Sequence, residues 1–229
     1  MNLILYDLAG ADDRRFSPAC WRISMALAHK GLDYESRATH FTQIADIGGE
    51  NRTVPVISDN GKLVGDSWKI AEYLEAHYPD RPSLFGGPTG KALAQFIQNW
   101  TITTLHGPIF RMIVADIHAM LAPVDKTYFR QSREERLGCS LEAAQAGRDT
   151  ILPGFRASLA PLRLTVQAQP FLGGEQPSYA DYLPFGALQW ARACSDYRLL
   201  EDNDPVLEWF RRCLSLYDGL GRKAPGHWS

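Results

Sequence analysis

Pro55–Val56–Ile57–Ser58–Asp59–Asn60–Gly61–Lys62–Leu63–Val64 places two short apolar runs on either side of a tight-turn signature. Asn-Gly suits a type I′ turn, whose two central residues both need positive φ, so the stretch predicts a β-hairpin. Directly behind it, Asp66–Ser67 opens a helix with Ile70, Ala71, Leu74 and Tyr78 on one face, ended by Pro79. Further upstream, Leu3–Ile4–Leu5–Tyr6 fits a strand buried on both faces, and Tyr34 to Phe41 supplies a second strand. Between those two runs, Ala19, Ile23, Ala26 and Leu27 recur at helical spacing, with Ser17 as N-cap, Pro18 at the first helical position and Gly31 past the end. The order is βαβ, an irregular segment, then ββα.

From Pro79 to Gly90, half of the residues are Pro or Gly, the composition of a linker between cooperative units. Beyond it only helical periodicity is visible, in Leu93, Phe96, Ile97 and Trp100, in Leu183, Ala187, Trp190, Ala191 and Cys194, and in Val206, Leu207, Phe210, Leu214 and Tyr217. The expected organisation is an α/β domain over 1–79, a linker over 80–90 and an all-α helical bundle over 91–229. Ser178 and Asp181 have the spacing of a capping box, with Asp in place of Glu.

The 229 residues are 45% hydrophobic and 22% charged, with a net charge of −2 and no long run of one sign. That composition excludes disorder and fibres, and it gives no basic track for nucleic acid or a membrane surface. The cysteines Cys20, Cys139, Cys194 and Cys213 are scattered, with neither a C-x-x-C pair nor zinc-site spacing, and the six histidines include no H-E-x-x-H, so no metal is expected. No apolar stretch approaches the ~18–20 residues of a membrane span, and Met1–Asn2–Leu3 opens no signal-like segment, so the expected location is cytoplasmic.

Three weak signals carry chemistry. The helix start at Ser17 offers free backbone N–H groups, the positive end of a dipole and a hydroxyl, which together favour an anion or a thiolate. A thiol of pKa ~8.5 is about 3% ionised at pH 7, and a drop of ~2 units makes it about three-quarters thiolate. Val54–Pro55, ahead of the hairpin, reads as a plain strand start or as a cis-proline that presents Val54 N–H and C=O to an extended peptide. Asp66–Ser67 reads as a cap, or as a place where Ser67 and free amides meet a carboxylate while Asp66 meets an ammonium.

In this βαβ-ββα order followed by a helical bundle, the three signals together resemble the glutathione transferase family across nearly the whole chain. The resemblance implies a thioredoxin-like N-terminal domain that binds glutathione as co-substrate, an all-helical C-terminal domain, and a homodimer. It implies that Ser17 touches the glutathione sulfur, that Val54 ahead of Pro55 pairs with the cysteinyl backbone, that Asp66 and Ser67 hold the γ-glutamyl end, and that His40 and Gln43 reach the glycyl end. Ser17–Pro18–Ala19–Cys20–Trp21–Arg22, Asp66–Ser67–Trp68 and Asp218–Gly219–Leu220–Gly221–Arg222 look like the bacterial β-aryl etherases of lignin breakdown, which use glutathione thiolate to expel a phenol from an aryl ether next to a ketone.

Two residues compete with Ser17 for the sulfur. Tyr6 lies at the end of the first apolar run, where other branches of the family place a tyrosine, and Cys20 is the second position of a C-x-x-C whose first cysteine is serine. The alternatives to an aromatic transferase are accordingly a carrier of aromatic ligands without turnover and a thiol reductase centred on Cys20. Arg14 and Arg15 precede Ser17 as possible anion attractors. Trp100, Thr104, Phe110 and Tyr128 are expected to line an apolar pocket for a small aromatic second substrate, and His106, with an ordinary pKa of ~6.5, is a candidate acid for a leaving phenolate.

Overall fold

The computed structural model describes residues 2–228; Met1 and Ser229, the outermost residues of the two expected domains, lie outside the described residues. Asn60 and Gly61 both have positive φ, at 49° and 91°, and they join β3 (Val56–Asp59) to β4 (Lys62–Gly65) with Asp59 opposite Lys62. β3 pairs antiparallel with β1 (Leu3–Leu8), which pairs parallel with β2 (Glu35–Thr39) on its other side, so the sheet order is β2-β1-β3-β4. The second strand is shorter than the expected Tyr34–Phe41, because Phe41 already starts a 3-10 helix, Phe41–Ile47.

The parallel β1–β2 pair needs a crossover, and α1 (Pro18–His29) supplies it, with Ile23, Met25, Ala26 and Leu27 fully buried. α2 (Ser67–His77) follows the hairpin. The stretch 80–90 carries the buried anchors Leu84 and Phe85 and ends inside the next helix, α3 (Pro88–Trp100). A π-helical segment, Thr101–His106, continues α3 into α4 (Gly107–Met120), and α5 (Pro123–Leu137), α6 (Leu141–Ala146), α7 (Arg148–Ser158), α8 (Ala160–Ala168), α9 (Tyr179–Cys194) and α10 (Pro205–Lys223) complete the helical part. The apolar stripe expected to run on to Tyr217 is interrupted: Tyr217, Asp218 and Gly219 form a left-handed turn inside α10, with φ of 53°, 55° and 75°.

α9 is the buried helix against which α1 packs. A Cβ on Gly186 would lie 2.4 Å from the Pro18 carbonyl oxygen, so only glycine lets the two backbones approach this closely. Ser178 and Asp181 cap the helix reciprocally, and the fully buried Asp181 carboxylate also accepts from Leu172 N, Gly173 N and Trp209 Nε1. At the other end of α1, buried Lys30 donates to the Tyr78 and Pro82 carbonyls and pairs with Glu75 at 2.9 Å, which ties the helix to the connecting segment. Among the described residues, no helix is long and apolar enough to cross a membrane, and no group of His, Cys, Asp and Glu is arranged to hold a metal ion.

Candidate active site

Ser17 caps α1 in extended conformation. Its Oγ accepts from Cys20 N at 3.3 Å, and the residue lines a cavity of about 500 Å³ between the sheet end and the helices, the size of a small-molecule site. The cap is less rich in amides than its sequence implies. Pro18 brings no N–H and Cys20 N–H is turned to Ser17, so within this first turn only Ala19 N–H stays without a hydrogen bond among the described residues.

The rivals are placed elsewhere. Tyr6 turns to the sheet face opposite its neighbour Asp7; the Arg37 guanidinium lies over its ring at 5.4 Å and donates to its hydroxyl at 3.4 Å. Cys20 is fully buried below Ser17 and beside Asp7. Burial, reinforced by the Asp7 carboxylate, pushes its thiol well above the ordinary range, so it stays protonated and closed to solvent. Burial likewise raises Asp7 to about 6, against the lowering influence of Arg15 3.5 Å away.

The cavity wall is aromatic. Phe16, Phe41, Phe110, Phe129 and Trp190 line it together with Ile102, His106, Arg133 and Arg136. Of the four residues expected at such a pocket, Phe110 lines it and Trp100, Thr104 and Tyr128 do not. The correction is one of helix phase: Trp100 and Thr104 are each two residues from cavity-lining Ile102 or His106, which turns them to another side of this helical stretch. Tyr128 is 46% exposed and meets Phe41 from outside, at 6.0 Å between ring centroids.

His106 is held by Arg22, whose Nη2 is 2.9 Å from its Nε2. A guanidinium only donates, so Nε2 accepts and the imidazole proton sits on Nδ1. Burial, together with the Arg22 charge, drives His106 down to about 3. The acid expected from an ordinary pKa is therefore absent near neutrality, and what remains is a neutral N–H donor. Arg14 and Arg15 also turn away from the cavity. Arg14 donates to the Ala193 carbonyl at 3.0 Å, and Arg15 binds Asp13 at 2.7 Å and Ser36 Oγ at 2.7 Å.

The Val54–Pro55 peptide is cis. Among the described residues, neither the N–H nor the C=O of Val54 has a hydrogen bond, since the β3 ladder begins at Val56. Asp66 caps α2 with φ 72° and ψ 125°, a sparsely populated backbone conformation, and its Oδ1 accepts from Trp68 N and Lys69 N at 3.0 and 3.1 Å. The Ser67 carbonyl accepts from Tyr179 OH of α9 at 3.0 Å. His40 does not line the cavity. Its Nδ1 lies 3.4 Å from Asp125 Oδ2, and its backbone N–H donates to the Gln43 side chain at 3.4 Å, so both residues expected at the glycyl end serve the start of the 3-10 helix.

A family model, "Glutathione S-transferase, C-terminal domain", matches residues 92–214, and its N-terminal counterpart matches residues 13–82. The chain belongs to the glutathione S-transferase family. Its fold is the family's, a thioredoxin-like four-stranded mixed sheet joined to a helical domain, and glutathione is its co-substrate. It is similar to the crystal structure of glutathione transferase GSTFuA3 from Phanerochaete chrysosporium, at 27% identity and TM-score 0.77 over 96% of this chain and 92% of that one. Glutathione S-transferase CsGST63524 of Ceriporiopsis subvermispora, crystallised in complex with glutathione, has the same fold at TM-score 0.81 and 23% identity, over 98% of this chain and 99% of that one. A maleylacetoacetate isomerase of Dictyostelium discoideum is 30% identical over 90 residues, 34% of this chain and 40% of the isomerase.

Sequence reasoning missed most of this transferase's cavity wall. Phe16 sits in a loop and Phe41 at the end of the expected second strand, while Phe129, Arg133 and Arg136 lie on α5, whose many charges hide any apolar stripe. The residual signal was the i, i+4 pair Phe129–Arg133, readable only once α5 is known to face the sheet.

Proposed function

We propose that this transferase ionises glutathione beside Ser17 and directs the thiolate at an aromatic electrophile. The observation that carries the reading is Ser17, the cap of α1, on the wall of an aromatic cavity. Because Oγ already accepts from Cys20 N, its own proton is available to a thiolate, with Ala19 N–H as a second donor. The unpaired backbone of Val54 supports pairing with the cysteinyl unit, and Asp66 and Ser67 at the head of α2 support a site for the γ-glutamyl ammonium and carboxylate. Catalysis is then raised thiolate concentration plus positioning, with Phe110 and Trp190 packing the electrophile.

Cleavage of a β-aryl ether next to a ketone is the version favoured by the motifs at Ser17–Arg22 and Asp218–Arg222. In it the thiolate displaces a phenolate, and the neutral His106 Nδ1–H serves as a hydrogen-bond donor to the leaving oxygen. The active form is expected to be a cytoplasmic homodimer. The test is turnover of glutathione with 1-chloro-2,4-dinitrobenzene and, separately, with a β-aryl ether ketone. Conjugation lost in Ser17→Ala supports the reading. Tight binding of both compounds without product replaces it with a carrier, and loss of activity in Cys20→Ala but not in Ser17→Ala replaces it with thiol chemistry at Cys20.

A further inference from the structure

Among the described residues, no Asp or Glu lines the aromatic cavity; its charged lining residues are Arg133 and Arg136, both from the last turns of α5. His106, the other titratable group on the wall, is neutral near pH 7. The cavity therefore presents two positive charges and no negative one.

These two arginines are placed differently from others on the same helix. Arg130, one turn earlier, is neutralised by Glu134 and Glu142 at 2.7 and 2.8 Å. Among the described residues, neither Arg133 nor Arg136 has a carboxylate within ion-pair distance, although Glu134 and Glu135 lie between them in sequence. Aromatic faces hold them instead. The Arg133 guanidinium lies over Phe41 at 5.3 Å and Phe129 at 5.0 Å, and Arg136 lies over Phe110 at 5.2 Å, all three rings being cavity walls. Contact of this kind with ring faces helps hold a guanidinium without consuming its N–H groups, which stay available to an anion. Arg133 uses one such group on Ser132 Oγ at 3.0 Å and is also near the Tyr128 hydroxyl, and no hydrogen bond engages Arg136 among the described residues.

We infer that the second substrate is an anionic aromatic electrophile, whose carboxylate or phenolate is taken by Arg133 and Arg136 while its ring packs among Phe110, Phe129 and Trp190. This rests on the aromatic-transfer reading and narrows it to a charge class. In the reaction the glutathione thiol gives its proton to solvent, the thiolate sulfur forms a bond to the ring carbon bearing chloride or to the carbon next to the ketone that bears the aryl ether, and the bond from that carbon to the leaving group breaks. The leaving group departs with the electron pair as chloride or phenolate, and the anchoring anion is unchanged. Glutathione's own glycyl carboxylate is the other anion that these arginines could meet, so the experiment separates the two.

The probes are 4-chloro-3,5-dinitrobenzoate, which carries the anion, and the neutral 1-chloro-2,4-dinitrobenzene, each assayed with glutathione. The readout is the ratio of kcat/KM for the benzoate to kcat/KM for the neutral chloride, each corrected for the uncatalysed rate. Arg133→Gln and Arg136→Gln should each lower that ratio about 10- to 100-fold, the worth of a hydrogen bond to a charged group, and Arg136→Lys should restore part of it. A ratio unchanged in both Gln variants overturns the inference even if overall activity falls, because the arginines then only support the cavity. A glutathione KM that rises as much as the benzoate rate falls assigns them to the glycyl carboxylate and also overturns it. Turnover of neither chloride by the unaltered protein fails the aromatic-transfer reading itself, and the inference falls with it, whereas turnover of the neutral compound with no response of the ratio sinks the charge class alone.

Discussion

Ser17 has two separable jobs. As the cap of α1 its oxygen receives Cys20 N–H, and as the proposed thiolate partner it gives its proton away. Ser17→Ala should therefore cost about 1 kcal/mol of stability, read by denaturant unfolding. It should also cost about 10- to 100-fold in kcat/KM for conjugation. Ultraviolet titration of bound glutathione in the same variant should move the thiol's ionisation back toward ~8.5; an unmoved titration would assign thiolate stabilisation to other groups. Asp7, beneath the cap, gives a pH prediction of definite sign. Burial raises it from 3.8 to about 6, so the folded state holds this proton more tightly than the unfolded chain does. Its contribution to stability is thus fully present below pH ~4 and is lost as pH rises through about 6, a difference of about 3 kcal/mol at most. Asp7→Asn cannot ionise, so its stability relative to the unaltered protein should grow between pH 4 and 6, a trend that thermal unfolding across that range would reveal or refute.

At the scale of elements, α9 positions the cap without touching the ligand. Gly186→Ala would push a methyl against the Pro18 carbonyl oxygen, 2.4 Å from the Cβ site, and that oxygen belongs to backbone that cannot swing aside. The expected cost is about 1–3 kcal/mol in thermal unfolding. A fall in kcat/KM should accompany it, since any retreat of α1 from α9 moves Ser17. Asp181 at the start of α9 gathers three backbone N–H groups and the Trp209 indole around a fully buried carboxylate. Asp181→Ala strands those donors and should destabilise the fold by about 3–5 kcal/mol, measured by chemical denaturation. The capping-box spacing of Ser178 and Asp181 was readable in advance because caps are local. α5 to α8 were not, because their one-sided burial is narrow: Asp125 and Phe129 are the buried residues of α5, too few to form a stripe.

Across the whole molecule, the two parts are joined by polar contacts around the cavity. Asp125 of α5, fully buried, accepts from Phe41 N, Thr42 N and Thr42 Oγ1 at 3.0 to 3.1 Å and thereby holds the aromatic wall at Phe41. Arg22 reaches from α1 to His106, and Tyr179 from α9 to the Ser67 carbonyl. Asp125→Ala should loosen Phe41 and raise KM for the aromatic substrate more than for glutathione, with glutathione titration as the control. Leu93, Phe96 and Leu164 expose 63%, 68% and 68% of their surfaces on the helical part. The proposed homodimer should sediment at twice the monomer mass.

The hairpin, the caps at Ser17, Asp66 and Ser178, the βαβ-ββα order and the helical second half were all determined by local sequence. Turn chemistry, capping and hydrophobic period act over a few residues, and each leaves its signature there. The division into parts at 1–79 and 91–229 remains a proposal of the same local kind, drawn from a stretch rich in Pro and Gly. Only the tertiary structure decided that Tyr6 faces Arg37, that Cys20 is sealed beside Asp7, that His106 is a neutral donor under Arg22, and that Phe110 reaches the cavity while Trp100 and Thr104 do not. Those outcomes depend on helix phase and on charges from distant elements meeting in a water-poor space, and long-range packing of that kind sets both a side chain's direction and its protonation.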